Sequence, residues 1–140
     1  NDPERTSDTI KDGWMHTGDL AVLDQDGYCD ITGRVKDMII RGGENIYPKE
    51  VEEFLYTHPS IGQAQVFGIP DATLGEVVCA WIVLNDGADI DPEALRHFCK
   101  GQMAHYKVPL HIRIKDELPM TISGKPQKFI MSAEMIKELQ

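Results

Sequence analysis

The run Val77 to Leu84 is apolar at nearly every position. A strand with one wet face alternates apolar and polar side chains, so an unbroken run of this length predicts a central strand covered on both faces. Whatever else the chain contains must supply that cover. The flanking segments do so in a mixed order, since from Met38 onward the patterns read strand, helix, strand, strand, helix, strand, helix. This order predicts an α+β domain of about 100 residues, an ordinary domain size, with a small sheet of about three strands packed against helices.

The individual signals are local. Asp2 before Pro3 and Glu4 has the form of a helix start, with a side-chain cap and then a proline where no amide bond is lost. Leu20 to Leu23 and Tyr28 to Thr32 flank Gln25-Asp26-Gly27, and an Asp-Gly between two such runs predicts a β-hairpin over residues 19 to 33. Met38-Ile39-Ile40 is a short apolar strand, and Gly42-Gly43 a turn. Pro48 opens a helix with Val51, Phe54 and Leu55 on one face. Ala64 and Val66 mark a strand before the central one. Asp91-Pro92-Glu93 repeats the cap-then-proline start of a second long helix, with Leu95, Phe98, Cys99 and Met103 as its buried stripe. Leu110, Ile112 and Ile114 alternate with His111, Arg113 and Lys115, as a half-buried strand does. A loop from Leu118 to Lys125 leads to a short terminal helix ending at Gln140.

Composition excludes several function classes. With 41% hydrophobic and 26% charged residues the chain is an ordinary globular one. No apolar run approaches the roughly 20 residues of a membrane-spanning helix. Cys29, Cys79 and Cys99 are odd in number and lack paired metal or redox spacing, so they predict buried or half-buried thiols in a reducing cytoplasm, with no metal site. A formal net charge of −9 argues against nucleic acid or an anionic membrane as a partner. Seven Lys or Arg between Arg96 and Lys128 face Asp116 and Glu117, however, so that stretch is +5 and the remainder −14. A solvated basic edge is the ordinary reading, and a small phosphate-bearing ligand the sharper one.

Candidate chemistry sits in few places. Lys125 follows Ser123-Gly124 on a turn with few packing residues, where an ammonium could swing toward a reacting group, although such a lysine is ordinarily just solvated. Asp19 opens the hairpin, where a carboxylate could accept hydrogen bonds from vicinal ribose hydroxyls or simply cap loop amides. Arg34 suits a ribose, a phosphate or a carboxylate, or a surface ion pair with Asp37. Gly42 and Gly43 could admit a close backbone approach to a ligand or form a plain tight turn. His16, beside Trp14, reads as a packing histidine.

Taken together, Trp14 to Asp19, Gly33 to Glu52 and Leu118 to Lys125 resemble the adenylate-forming enzymes, which include acyl-CoA synthetases, luciferases and peptide-synthetase adenylation domains. Gly42-Gly43-Glu44-Asn45-Ile46-Tyr47-Pro48 is the form typical of acyl-CoA synthetases, nearest to medium-chain fatty-acyl-CoA ligases. The resemblance implies that residues 1–35 are the carboxyl-terminal edge of a large AMP-binding domain and 36–140 a small lid domain. It fits a start at Asn1, in the polar run Asn1 to Arg5, that reads as the middle of a longer polypeptide. It further implies that Asp19 holds the ribose, with Arg34 nearby, that Lys36 is the hinge, that Lys125 bridges acyl carboxylate and α-phosphate, and that Gly42 and Gly43 line the pantetheine tunnel. The implied substrates are ATP, CoA and a fatty or other carboxylic acid. Mg2+ and the triphosphate would be bound mainly by the large domain, which would be the lid's partner. Pro126 departs from the resemblance, since an aliphatic residue usually follows the lysine. A non-catalytic interaction module and a luciferase-like relative are the competing readings.

Overall fold

In the computed structural model, which describes residues 2–140, the Val77–Leu84 run forms most of strand β8 (Gly75–Leu84). Asn1 lies outside the described residues. From Val77 onward, alternate side chains of β8 enter two separate cores, which is why that stretch carries no polar residue. Val78, Ala80 and Ile82 face one cluster with Val51, Leu55, Leu95 and Cys99. Val77, Cys79 and Trp81 face the other, with Phe67, Leu118, Met131 and Met135. The central strand expected from the sequence is thus sandwiched between helices.

These helices are α2 (Pro48–Leu55) and α3 (Pro92–Cys99) on one face and α4 (Lys128–Leu139) on the other. Asp91 caps α3, its Oδ1 accepting the Ala94 amide at 2.8 Å, with Pro92 in the first turn as anticipated. The helix is shorter than its apolar stripe suggested. Lys100 turns to extended backbone, φ −64° and ψ 130°, so Met103 packs on the core from outside the helix. The terminal helix, by contrast, is the longest in the chain at 12 residues. Met131 and Met135 seat it with no exposed surface, each burial worth roughly 1.5–3 kcal/mol.

The class is α+β, and the sheet has five strands where about three were expected. β8 pairs antiparallel with β7 (Ile61–Asp71) along its length and parallel with β9 (His111–Ile114). Arg41 opposite Gly75 joins β8 to β5 (Ile39–Arg41), which turns back through Gly42-Gly43 into β6 (Glu44–Ile46). The sequence hid β6 because Glu44 and Asn45 are polar and exposed, as edge-strand residues are.

The free edge of β7 is closed by side chains. The Tyr56 hydroxyl accepts from the Ala64 amide at 3.1 Å and lies 3.4 Å from the Ala64 carbonyl. Glu52 Oε1 accepts the Val66 amide at 2.8 Å, and the Ser132 hydroxyl donates to the Gly68 carbonyl at 3.1 Å. Buried backbone groups that no neighbouring strand reaches therefore keep partners, and the edge offers little to another chain.

Ahead of the sheet lie α1 (Pro3–Thr9), the minimal ladder of β1 (Ile10–Lys11) with β2 (Trp14–Met15), and the expected hairpin of β3 (Asp19–Leu23) with β4 (Cys29–Arg34). The β3–β4 loop is longer than a two-residue Asp-Gly turn. Asp24 Oδ1 accepts the amides of Asp26 and Tyr28 at 2.9 and 2.8 Å. Val22, Leu23, Tyr28 and Ile31 are exposed on this hairpin, and Cys29 is exposed too, against the expectation of three sheltered thiols. Lys49 of α2 ties the hairpin to the sheet domain, its Nζ donating to the Ile31 carbonyl at 2.5 Å and lying 3.7 Å from Asp30.

Candidate functional site

The segment between hairpin and sheet is a single 3-10 turn, Val35–Asp37, flanked by extended backbone at Arg34 (φ −123°, ψ 141°) and Met38 (φ −63°, ψ 132°). Such a link has few bonds to break. The Val35 amide donates to the Gly18 carbonyl at 2.9 Å and the Met38 amide to the Val35 carbonyl at 3.3 Å. Lys36, in the middle of the turn, is exposed.

Lys125 stands across from this link. Its turn is held by backbone and hydroxyl bonds rather than by apolar packing. The Thr121 amide donates to the Lys125 carbonyl at 2.8 Å, the Lys125 amide donates to Thr121 Oγ1 at 3.0 Å, and the Gly124 amide donates to the Thr121 carbonyl at 2.9 Å. Gly124 at φ +75° allows the chain to reverse there. Pro126 closes the turn opposite Met120, and the Gln127 amide donates to the Pro119 carbonyl at 2.9 Å. Ile122 at the tip is fully exposed, and residues 123 to 126 are exposed as well.

The two segments bound a cleft of about 500 Å3 whose wall includes Arg34, Lys36, Asp37, Lys125, Lys128 and Phe129. Arg34 and Lys128 have carboxylate partners in Asp19 and Glu52, so the charge that makes it a place for an anion comes from Lys36 and Lys125. A neighbouring cleft of about 290 Å3 includes Asp19 with Arg34 and Lys128. Asp19 and Arg34 are register partners across β3 and β4, with Arg34 Nε 3.3 Å from Asp19 Oδ1. The partner of Arg34 is thus Asp19 and not Asp37, because the antiparallel ladder puts the two side chains side by side. The carboxylate keeps acceptor capacity for a hydroxyl ligand.

Gly42 and Gly43 are not among the residues that wall these clefts. They form the β5–β6 turn, both with positive φ (+59° and +89°), and the Gly42 amide donates to the Leu74 carbonyl at 2.7 Å. Leu74 is fixed in turn by Asp71, whose Oδ1 accepts the Leu74 and Thr73 amides at 2.8 and 2.9 Å. Those two bonds, Leu74 first, hold the Asp71 carboxyl below its ordinary range, and Arg41 adds to the effect. His16 does not pack on Trp14 in a core, for both are exposed and Trp14 is 77% so.

Two residues of the site escaped the sequence reading. In the sequence Lys128 is one charge of the basic stretch, and Glu52 is the last residue of the Gly33 to Glu52 motif, with no role of its own. Lys128 Nζ lies 2.7 Å from Glu52 Oε1, across 76 residues of chain, with both side chains largely covered. Among the described residues no cluster of three or more His, Cys, Asp or Glu side chains could hold a metal ion. Among them, too, no helix is long and apolar enough to cross a membrane.

Residues 50–125 match the family described as the AMP-binding enzyme C-terminal domain. The medium-chain acyl-CoA ligase ACSF2, mitochondrial, of Danio rerio is 52% identical over 99% of this chain, which spans 23% of that relative's length. Crystal structures of MatB from Rhodopseudomonas palustris match with 39% identity and TM-score 0.89 in the ATP-bound form, and with 40% identity and TM-score 0.74 in the apo form. Each covers 94% of this chain, which spans 26% of either.

Proposed function

This chain belongs to the AMP-binding enzyme C-terminal domain family, and from that premise we propose that it is the lid of an AMP-forming acyl-CoA synthetase. The substrates would be ATP, CoA and a fatty or other carboxylic acid, and the products acyl-CoA, AMP and pyrophosphate. The relatives' names and their greater length support this reading, as do the exposed apolar side chains of the β3–β4 hairpin, which a large domain would cover. Residues 1–35 would then be the last part of that domain and 36–140 the lid.

The observation that carries the reading is the meeting of Lys125 with Arg34 and Lys36 on one cleft. In the first half-reaction a carboxylate oxygen attacks the α-phosphorus of ATP and the bond to pyrophosphate breaks. Negative charge gathers on the phosphorus oxygens, and an exposed ammonium on a thinly packed turn is placed to neutralise it. Losing one such donor typically costs about 2.7–4 kcal/mol in the transition state. Asp19 would accept the ribose hydroxyls, and Arg34, beside it, would orient the carboxylate and face the phosphates. In the second half-reaction the CoA sulfur attacks the acyl carbon and AMP leaves, which requires the ammonium to withdraw. Rotation about Lys36 would achieve this and bring Gly42 and Gly43, bare of side chains, to the pantetheine arm. Mg2+ and the triphosphate chain would be held mainly by the large domain.

Three unpaired cysteines suit a reducing compartment, which the cytoplasm and the mitochondrial matrix both are. The test of function is the complete enzyme carrying Lys125→Ala. It should lose ATP–pyrophosphate exchange while still forming thioester from a supplied acyl-adenylate. Equal loss of both half-reactions would contradict the role given to Lys125, and intact exchange would contradict the whole reading.

A further inference from the structure

The turn that carries Lys125 has almost no packing of its own, so its position depends on where its two ends are rooted. The upstream end is held by Leu118, 7% exposed in the second core. The downstream end enters α4 at Lys128, whose ammonium lies 2.7 Å from Glu52 Oε1. That same oxygen accepts the Val66 amide at the edge of β7, so the carboxylate is gripped from two sides. Side-chain exposures of 21% for Lys128 and 14% for Glu52 remove much of the water that would otherwise screen the pair. A simple tie between α2 and α4 would account for this much.

Its location asks for more. Lys128 walls the same cleft as Lys125, Arg34 and Lys36, and only Pro126 and Gln127 separate it from Lys125. An unpaired ammonium there would repel the Lys125 ammonium and compete for the same anion. Glu52 prevents both, since a carboxylate that already holds a backbone amide cannot follow Lys128 outward. We propose that the Glu52–Lys128 ion pair is a positioning device: it roots the Lys125 turn on α2 and holds the Lys128 charge back from the anion in the cleft. Of the two lysines at this end of the cleft, Lys125 is then the one free to approach the reacting carboxyl and α-phosphate. The inference rests on the adenylation role proposed above for Lys125.

The test uses the complete enzyme with Glu52→Gln, Lys128→Met, Lys128→Arg and the double variant Glu52→Gln/Lys128→Met, beside Lys125→Ala. Glu52→Gln and Lys128→Met should each slow ATP–pyrophosphate exchange on the order of 10- to 100-fold in kcat, the scale of a misplacement of about 1 Å. KM for ATP should stay within about twofold, because binding shared by ground and transition states is untouched. Thioester formation from supplied acyl-adenylate should be unchanged. Lys128→Arg should retain exchange, and the double variant should be no slower than the slower single one, as members of one unit are. Equal loss in both half-reactions, tracking a lowered Tm, would reduce the pair to a fold contact. A raised KM for ATP in Lys128→Met alone would make Lys128 a phosphate ligand. Unchanged exchange in both single variants, with Lys125→Ala inactive in exchange, would overturn the pair's role and leave that of Lys125 standing. Exchange surviving in Lys125→Ala would remove the proposed function itself, and the pair's role with it.

Discussion

Arg34 and Asp19 face each other across the first and last residues of the β3–β4 hairpin, Nε to Oδ1 at 3.3 Å, where the hairpin gives way to the Val35–Asp37 turn. Both side chains keep substantial exposure, 53% and 34%, so solvent screens the pair. An exposed pair of this kind contributes about 0–1 kcal/mol. Asp19→Asn should therefore shift the chain's thermal denaturation very little. In the complete enzyme it should instead raise KM for ATP, since an amide is a weaker acceptor for ribose hydroxyls than a carboxylate. A large fall in Tm with KM unchanged would make the pair a structural clasp.

The thiols separate by burial. Cys79 and Cys99 are fully buried, and loss of hydration pushes them up to about 12 and about 11, while Cys29 is exposed. Only a thiolate alkylates readily. Iodoacetamide at pH 8 should modify Cys29 alone in the native chain, with Cys79 and Cys99 reacting after denaturation, as intact-mass measurement would show. The sign for stability follows by linkage. These groups bind protons more tightly folded than unfolded, so their contribution is complete below the ordinary thiol value of 9 and falls as pH rises from there toward 11 and 12. Urea midpoints should decline over that alkaline window, and Cys79→Ala should flatten the decline.

What could be read without coordinates was whatever leaves a local trace. An unbroken apolar run of eight residues, half of them β-branched, favours a doubly covered strand over a buried helix, and Asp91-Pro92 is a strong helix start. The Lys125 turn announced itself through Ser-Gly and through its likeness to other sequences. The remainder depended on contacts between distant segments. Glu52 looks like any solvated charge on an amphipathic helix until the fold lays α4 beside it, and β6 looks like a loop because an edge strand needs no apolar face. The extent of α3 is not legible in its apolar stripe, because the pattern of buried residues continues past the last helical bond, Met103 reaching the core from a loop.

Tyr56 offers a test of how the β7 edge is closed. Its hydroxyl is the partner of the Ala64 amide, and Ala64 is fully buried. Tyr56→Phe keeps the ring and removes the acceptor, so the cost should be about 1 kcal/mol, the usual net value of one such bond. Chemical denaturation should show a lowered midpoint at unchanged slope. No change would mean that water reaches the amide when the hydroxyl is gone.

Gly42 and Gly43 separate conformational strain from space. Both have positive φ, +59° and +89°, the pattern of a two-residue hairpin turn in which both central residues are left-handed. A Cβ on Gly42 would meet Leu74 Cδ2 at 3.6 Å, an ordinary contact, and one on Gly43 would meet nothing within 4 Å. Steric exclusion within this chain therefore explains neither glycine. Left-handed backbone disfavours other residues by roughly 1–2 kcal/mol, with asparagine the mildest substitute. Gly43→Asn should leave the isolated chain nearly as stable as before, by thermal denaturation, and should leave ATP–pyrophosphate exchange in the complete enzyme intact. If the turn meets the pantetheine arm after rotation, the added side chain should raise KM for CoA and slow thioester formation. A variant slowed equally in both half-reactions would show that the turn acts through the fold and not through contact with the thiol substrate.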